Sequence, residues 1–214
     1  MKLFNFLSDA KPPLIQQSVN DLLAMIDRAS EMFALATGAL LDNEAVQVDL
    51  AAMDDDINTR EGLIRRAVLE HVAVNPQQEL SFSLVMVAIV QDAERCGDLA
   101  KSLSKAAALS DAPRMGRHVA VLASIRDRVQ AQFPLVHAAF SSGDAEGAAA
   151  VMNTHEAVKA EVGDLLSELA RADDVSPNEA VVLGISARMI GRVSSHLSNI
   201  ISAIALPFDQ LRRS

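Results

Sequence analysis

The sequence predicts an all-α protein of six long helices, arranged as two tandem antiparallel three-helix bundles, and three observations carry that prediction. Aromatics are only 3% of the 214 residues, with no Trp, no Tyr and seven Phe, while hydrophobic residues make up 50%. Strand surfaces draw on aromatic and β-branched side chains, so an interior of Ala, Leu and Val points to helices and excludes a β-sandwich or barrel. Break residues recur so as to leave six segments of roughly 25 to 33 residues with helical apolar spacing. Two openings, Asn75-Pro76 and Ser176-Pro177, share a cap chemistry 101 residues apart, which reads as an internal duplication.

Taken in order, Pro12 and Pro13 precede the first segment, which runs from about Leu14 to Leu41 with Leu22, Leu23, Ile26, Met32, Phe33 and Leu35 apolar, and Asn43 ends it. The second begins near Glu44, carries Leu50, Met53, Ile57, Ile64 and Val68, and closes at Asn75. Asn75 as N-cap and Pro76 at the first helical position open the third, which ends by Ser110. The fourth covers Pro113 to Ser141, where Pro134 predicts a kink. Ser142, Gly143 and Asp144 separate it from the fifth, Asp144 to Ala172. Ser176-Pro177 opens the sixth, which stops at Pro207. The repeats are thus residues 1–110 and 111–214, with helices roughly 40 Å long at 1.5 Å per residue.

The formal charge of −9 excludes general nucleic-acid binding, which needs a basic face, and disfavours anionic membrane surfaces. One cysteine, Cys96, allows neither an intrachain disulfide nor a thiolate zinc cage, which fits a reducing cytosol. The apolar stretch of the opening MKLFNFLSDAKPP is too short for a signal peptide. The longest uncharged stretches, Leu80 to Gln91 and Val193 to Phe208, fall short of the roughly 20 residues of a membrane span. A cytoplasmic protein without direct membrane insertion is expected. Neither Gly-rich phosphate-loop motif occurs, and no Glu-x-x-His pair of the di-iron bundles.

In the third segment Phe82, Ile89, Cys96 and Leu103 recur every seven residues, a buried seam that makes Cys96 a core thiol. Beside it runs Leu80, Leu84, Val87, Gln91, Glu94 and Asp98, a stripe that begins apolar and turns acidic. Glu94 and Asp98 lie one turn apart on one face, and on the second segment Asp54 and Asn58 do likewise, flanked by Asp55, Asp56 and Glu61. Two facing helices would present four oxygen-bearing side chains to one place, which suits a hard divalent or ferric cation. Acidic pairs on helices also serve as ordinary solvated faces, and His118, His137 and His155 have the spacing of structural histidines rather than a metal pair. Arg114, Arg117, Arg126 and Arg128 on the fourth segment read chiefly as a solvated face.

Glu94-Arg95-Cys96-Gly97-Asp98 resembles the E-R-[apolar]-[small]-D signature of the PhoU family, and the resemblance extends over nearly the whole chain. Gly191-Arg192-Val193-Ser194-Ser195-His196-Leu197-Ser198-Asn199-Ile200 is similar to the family's second copy, with Arg192, Val193, His196, Asn199 and Ile200 as expected. Asp54 to Ile57 resembles the second-helix acidic element, and His155 to Lys159 stands where its repeat belongs. The departures fall on the ligands. Asn58 replaces one acid of the first repeat, and His155, Lys159, Gly191 and Ser195 replace all four of the second. The resemblance implies metal clusters on these motifs, which confines a divalent or ferric ion here to Asp54, Glu94 and Asp98, with Asn58 as an auxiliary carbonyl. Without a cation, the crowded carboxylates are expected to raise a pKa or pair with Arg95 or Arg65.

The resemblance further implies a non-catalytic regulator of phosphate uptake and phosphate-responsive signalling, an adaptor touching the ATPase of a phosphate importer and a sensor kinase. The alternatives are a divergent metal-binding protein or a cytosolic partner of a sodium-coupled phosphate transporter. A metal-assisted hydrolase lacks a companion base or nucleophile. Slender bundles with this apolar content expose hydrophobic stripes, from which a homodimer is expected.

Overall fold

The computed structural model describes residues 12–206, of which 83% are helical, with no strand among them. The helices are α1 (Pro13–Leu41), α2 (Leu50–Val74), α3 (Leu80–Ala107), α4 (Arg117–Ser142), α5 (Ala145–Leu169) and α6 (Pro177–Ala205). The expectations about the first eleven residues and the stop at Pro207 lie outside the described residues. None of the described helices is long and apolar enough to cross a membrane.

All six predicted helices form, but several boundaries move, each for a local reason. The second helix starts at Leu50 rather than near Glu44, because Asp49 is the residue that caps it, accepting from the backbone N–H of Ala51 at 2.9 Å and Ala52 at 3.2 Å. Asn43, at φ 58°, turns the chain after α1, and Glu44 bonds back to the Gly38 carbonyl at 3.2 Å. Asn75 is not the N-cap of the third helix. Its N–H closes the end of α2 on the His71 carbonyl at 2.8 Å, Pro76 lies in the turn that follows, and α3 begins at Leu80 after Glu79 in the left-handed region. Ser176 does cap the sixth helix, its hydroxyl accepting the Glu179 N–H at 3.1 Å. The third helices of the two repeats therefore start 97 residues apart, four fewer than the shared Asn-Pro and Ser-Pro openings imply.

The third helix stops at Ala107, before Ser110, and the fourth starts at Arg117 rather than Pro113. Between them Arg114 holds the connection by donating to the carbonyls of Ala39 at 2.6 Å and Ala107 at 3.0 Å, and Gly116, at φ 104°, immediately precedes the helix. Helix α4 continues on both sides of Pro134, which supplies no N–H to the ladder. Asp144 caps α5 through the Glu146 N–H, and α5 ends at Leu169, short of Ala172.

Helices α1, α2 and α3 pack on one another, as do α4, α5 and α6; α3 lies along α6 and α1 along α4, so one continuous core spans both halves. Phe33 of α1 and Phe133 of α4 meet with ring centroids 5.7 Å apart. The seam of Phe82, Ile89, Cys96 and Leu103 is wholly buried, and burial pushes the Cys96 thiol well above its ordinary range.

Candidate functional site

In the first repeat the α2–α3 contact brings the four predicted residues together, but it brings a fifth with them. Lys101, one turn below Asp98 on α3, bonds Asp54 directly, and its Nζ lies 3.4 Å from Asp98. Asp54 is almost fully buried, and Asn58 also donates its amide to the same Asp54 oxygen at 3.1 Å. Asn58 is thus a donor to a carboxylate here, not a spare carbonyl. The Asp54 bond, followed by the neighbouring Asp98, raises the Lys101 pKa and keeps the ammonium charged. The second oxygen of Asp54, Oδ1, is buried without a hydrogen-bond partner.

Gly97 makes this approach possible. A Cβ there would come within 2.7 Å of the Ile57 Cδ1 and 3.4 Å of Asp54 Oδ1, so the small residue of the motif lets α2 lie against α3.

Of the two arginines expected to neutralise the cluster, Arg95 does so, reaching Asp98 at 3.2 Å and Glu94 at 3.6 Å. Arg65 instead pairs with Glu61 at 2.7 Å. The expected pKa rise falls on Glu94, pushed up to about 7, first by burial and then by the charge and hydrogen bond of Asp98. Asp56 is drawn away from the cluster by Arg28 and Arg60.

Among the described residues, no group of three or more His, Cys, Asp or Glu side chains is arranged to hold a metal ion. The donor set explains why. Two of the three carboxylates already share an ammonium, so a metal ion would have to displace Lys101 before it met its ligands. The arrangement fits an internally neutralised acidic site rather than a cation centre.

The four counterparts in the second repeat come together as well. His155, Lys159, Gly191 and Ser195 line one cavity of about 170 Å³, together with Arg188, Arg192 and Val162. Burial pushes the His155 ring below its ordinary pKa, and its Nδ1 lies 3.1 Å from the Ser194 hydroxyl. Lys159 has Glu156 at 3.7 Å.

Between the repeats lies a polar tie whose partners come from different repeats. Asp92 of α3, fully buried, accepts from His196 at 2.8 Å and Asn199 at 3.0 Å, both on α6. This gives His196 the place that sequence alone left unassigned. The signal was present: three residues after Ile89 on the heptad seam, between Val85 and Leu99, an apolar side chain is due and an acid stands there. His118 is buried with Glu168 at 3.9 Å, and His137 lies 3.7 Å from Asp27, neither near the acidic site.

Two packed three-helix units, one carrying a neutralised acidic motif and the other its basic counterpart, define a duplicated helical-bundle protein without a preformed metal centre among the described residues. Residues 22–107 match the PhoU domain family. That match covers the first repeat. Its fold is similar to the crystal structure of PhoU from Pseudomonas aeruginosa, with a TM-score of 0.81 and 24% identity over 89% of this chain and 95% of that one. It is also similar to the phosphate transport system regulatory protein PhoU from Streptococcus pneumoniae, with a TM-score of 0.79 and 18% identity over 89% of this chain and 92% of that one. At these identities the likeness shows the fold. No curated protein matches the sequence.

Proposed function

We propose that this chain is a non-catalytic cytoplasmic regulator of phosphate uptake, an adaptor that contacts the ATPase of a phosphate importer and a phosphate-responsive sensor kinase. The observation that carries the reading is the PhoU domain over residues 22–107 set in a fold that matches PhoU, a phosphate transport system regulatory protein in Streptococcus pneumoniae, along 89% of the chain. An adaptor needs faces for partners. Leu80, Leu84 and Val87 follow one another along α3 and remain exposed, just above the acidic cluster, and Leu63 and Leu69 of α2 are exposed as well. Such stripes support contact with other proteins, a second copy of this chain among them. The neutralised acidic site, with its carboxylates held by Lys101 and Arg95, supports regulation by docking rather than metal-assisted chemistry.

The test is deletion of the gene in its own host, with phosphate uptake and phosphate-responsive transcription followed in rich and poor phosphate. Uptake or transcription that ceases to follow external phosphate is expected, restored by the wild-type gene. Unchanged responses in both media contradict the proposal.

A further inference from the structure

The acidic site and its counterpart have opposite charge. At the places where the first repeat carries Asp54, Asn58, Glu94 and Asp98, the second carries His155, Lys159, Gly191 and Ser195, and these line one cavity with two further cations, Arg188 and Arg192. Arg188, Gly191, Arg192 and Ser195 follow at intervals of three, four and seven on α6, and His155 and Lys159 stand one turn apart on α5, so both helices turn these residues to one side. Arg188 and Arg192 are exposed and make no ion pair with the described residues. Among the described residues no carboxylate lines the cavity, although Glu156 lies 3.7 Å from Lys159 and the chain as a whole carries −9.

We infer that this cavity binds a small tetrahedral oxyanion, inorganic phosphate or one of its size and charge. Two guanidinium forks give the planar, multidentate donors that phosphate oxygens prefer, Lys159 adds a point charge, and Ser195 adds a hydroxyl. Gly191 keeps the floor open: a Cβ there would sit in ordinary contact with Val162, at 3.4 Å, and a longer acidic side chain would project among the cations. At about 170 Å³ the cavity is smaller than the roughly 300 to 1,000 Å³ of pockets for drug-sized ligands, which favours the free anion over a phosphorylated metabolite or nucleotide. This inference rests on the cavity alone and stands or falls independently of a role in phosphate uptake.

The experiment is calorimetric titration of the full chain with inorganic phosphate at constant ionic strength, with chloride and phenyl phosphate as the comparison arms. Saturable 1:1 binding of phosphate, tighter than phenyl phosphate and absent for chloride, is expected. Arg188→Gln with Arg192→Gln should weaken it at least tenfold, and Gly191→Glu, which restores a carboxylate, should abolish it, while circular dichroism of both variants stays that of the wild type. Phosphate binding that is non-saturable, equal in the arginine variant, or weaker than that of phenyl phosphate overturns the assignment. Because all these substitutions lie on one helix, Lys159→Gln on the facing helix gives an independent check. It too should weaken binding, and unchanged affinity there counts against the site.

Discussion

Asp92 and His196, 104 residues apart in the chain, meet at 2.8 Å where the third helix of one repeat lies along the third helix of the other. Asn199 joins them from the next turn, and all of Asp92 is buried. Two donors from the second repeat hold one oxygen of this carboxylate within the seam, which makes the pairing of the repeats specific as well as apolar.

Removing the carboxylate leaves the His196 ring and the Asn199 amide facing each other without their shared acceptor. Asp92→Ala should therefore cost roughly 2 to 4 kcal/mol of unfolding free energy. Asp92→Asn, which keeps an acceptor, should cost about half as much. Urea denaturation measures both, and an alanine variant as stable as the wild type would show that the tie contributes nothing.

Glu94 makes stability depend on pH. Its folded pKa is raised from 4.5 to about 7, so across that window the folded protein keeps a proton that the unfolded chain has released. This contribution is fully retained below pH 4.5 and is lost as the pH climbs through 7. Glu94→Gln removes the dependence. It should match the wild type at pH 4.5 and gain on it by about 1 kcal/mol above pH 7, a figure already reduced for solvent screening. Melting temperatures of the two proteins along a pH series give the comparison; a constant difference would place the titration elsewhere.

Gly97 tests the close approach of α2 and α3. Gly97→Val puts carbon where Ile57 Cδ1 now lies, 2.7 Å from the site of a Cβ, and Ile57 is fully buried with little room to yield. A loss of roughly 1 to 3 kcal/mol is expected, by overpacking. Far-UV circular dichroism during thermal unfolding reads it directly, and a rise in melting temperature would argue that the helices have slack.

The helices were legible in the sequence because their apolar spacing and breaks are local. Asp144 and Ser176 could be read as starts from side chains that bond their own backbone. Asn75-Pro76 looked identical to Ser176-Pro177, yet Asn75 was committed to ending α2, a competition decided by the backbone of the preceding helix. In the candidate site, Asp54, Asn58, Glu94 and Asp98 could be placed on facing turns from i, i+4 spacing alone. Lys101 could not be foreseen as their counter-ion, because its bond to Asp54 spans 47 residues and depends on the register between two helices. Asp92 was visible as an acid on an apolar seam, but its partners lie in the other repeat.

Lys101 stands in the place of a cation in the first repeat, and metal titration of the wild type beside Lys101→Gln reads this out. With Mn²⁺ followed calorimetrically, the wild type should show no saturable binding at micromolar metal, since the ammonium bonded to Asp54 must first be displaced. Lys101→Gln should leave the buried carboxylate uncompensated, lowering stability by roughly 3 kcal/mol, and should gain a single metal site that Asp98→Asn added to it removes. Stoichiometric Mn²⁺ on the wild type, with an affinity that Lys101→Gln leaves unchanged, would show that Lys101 does not occupy a cation's place.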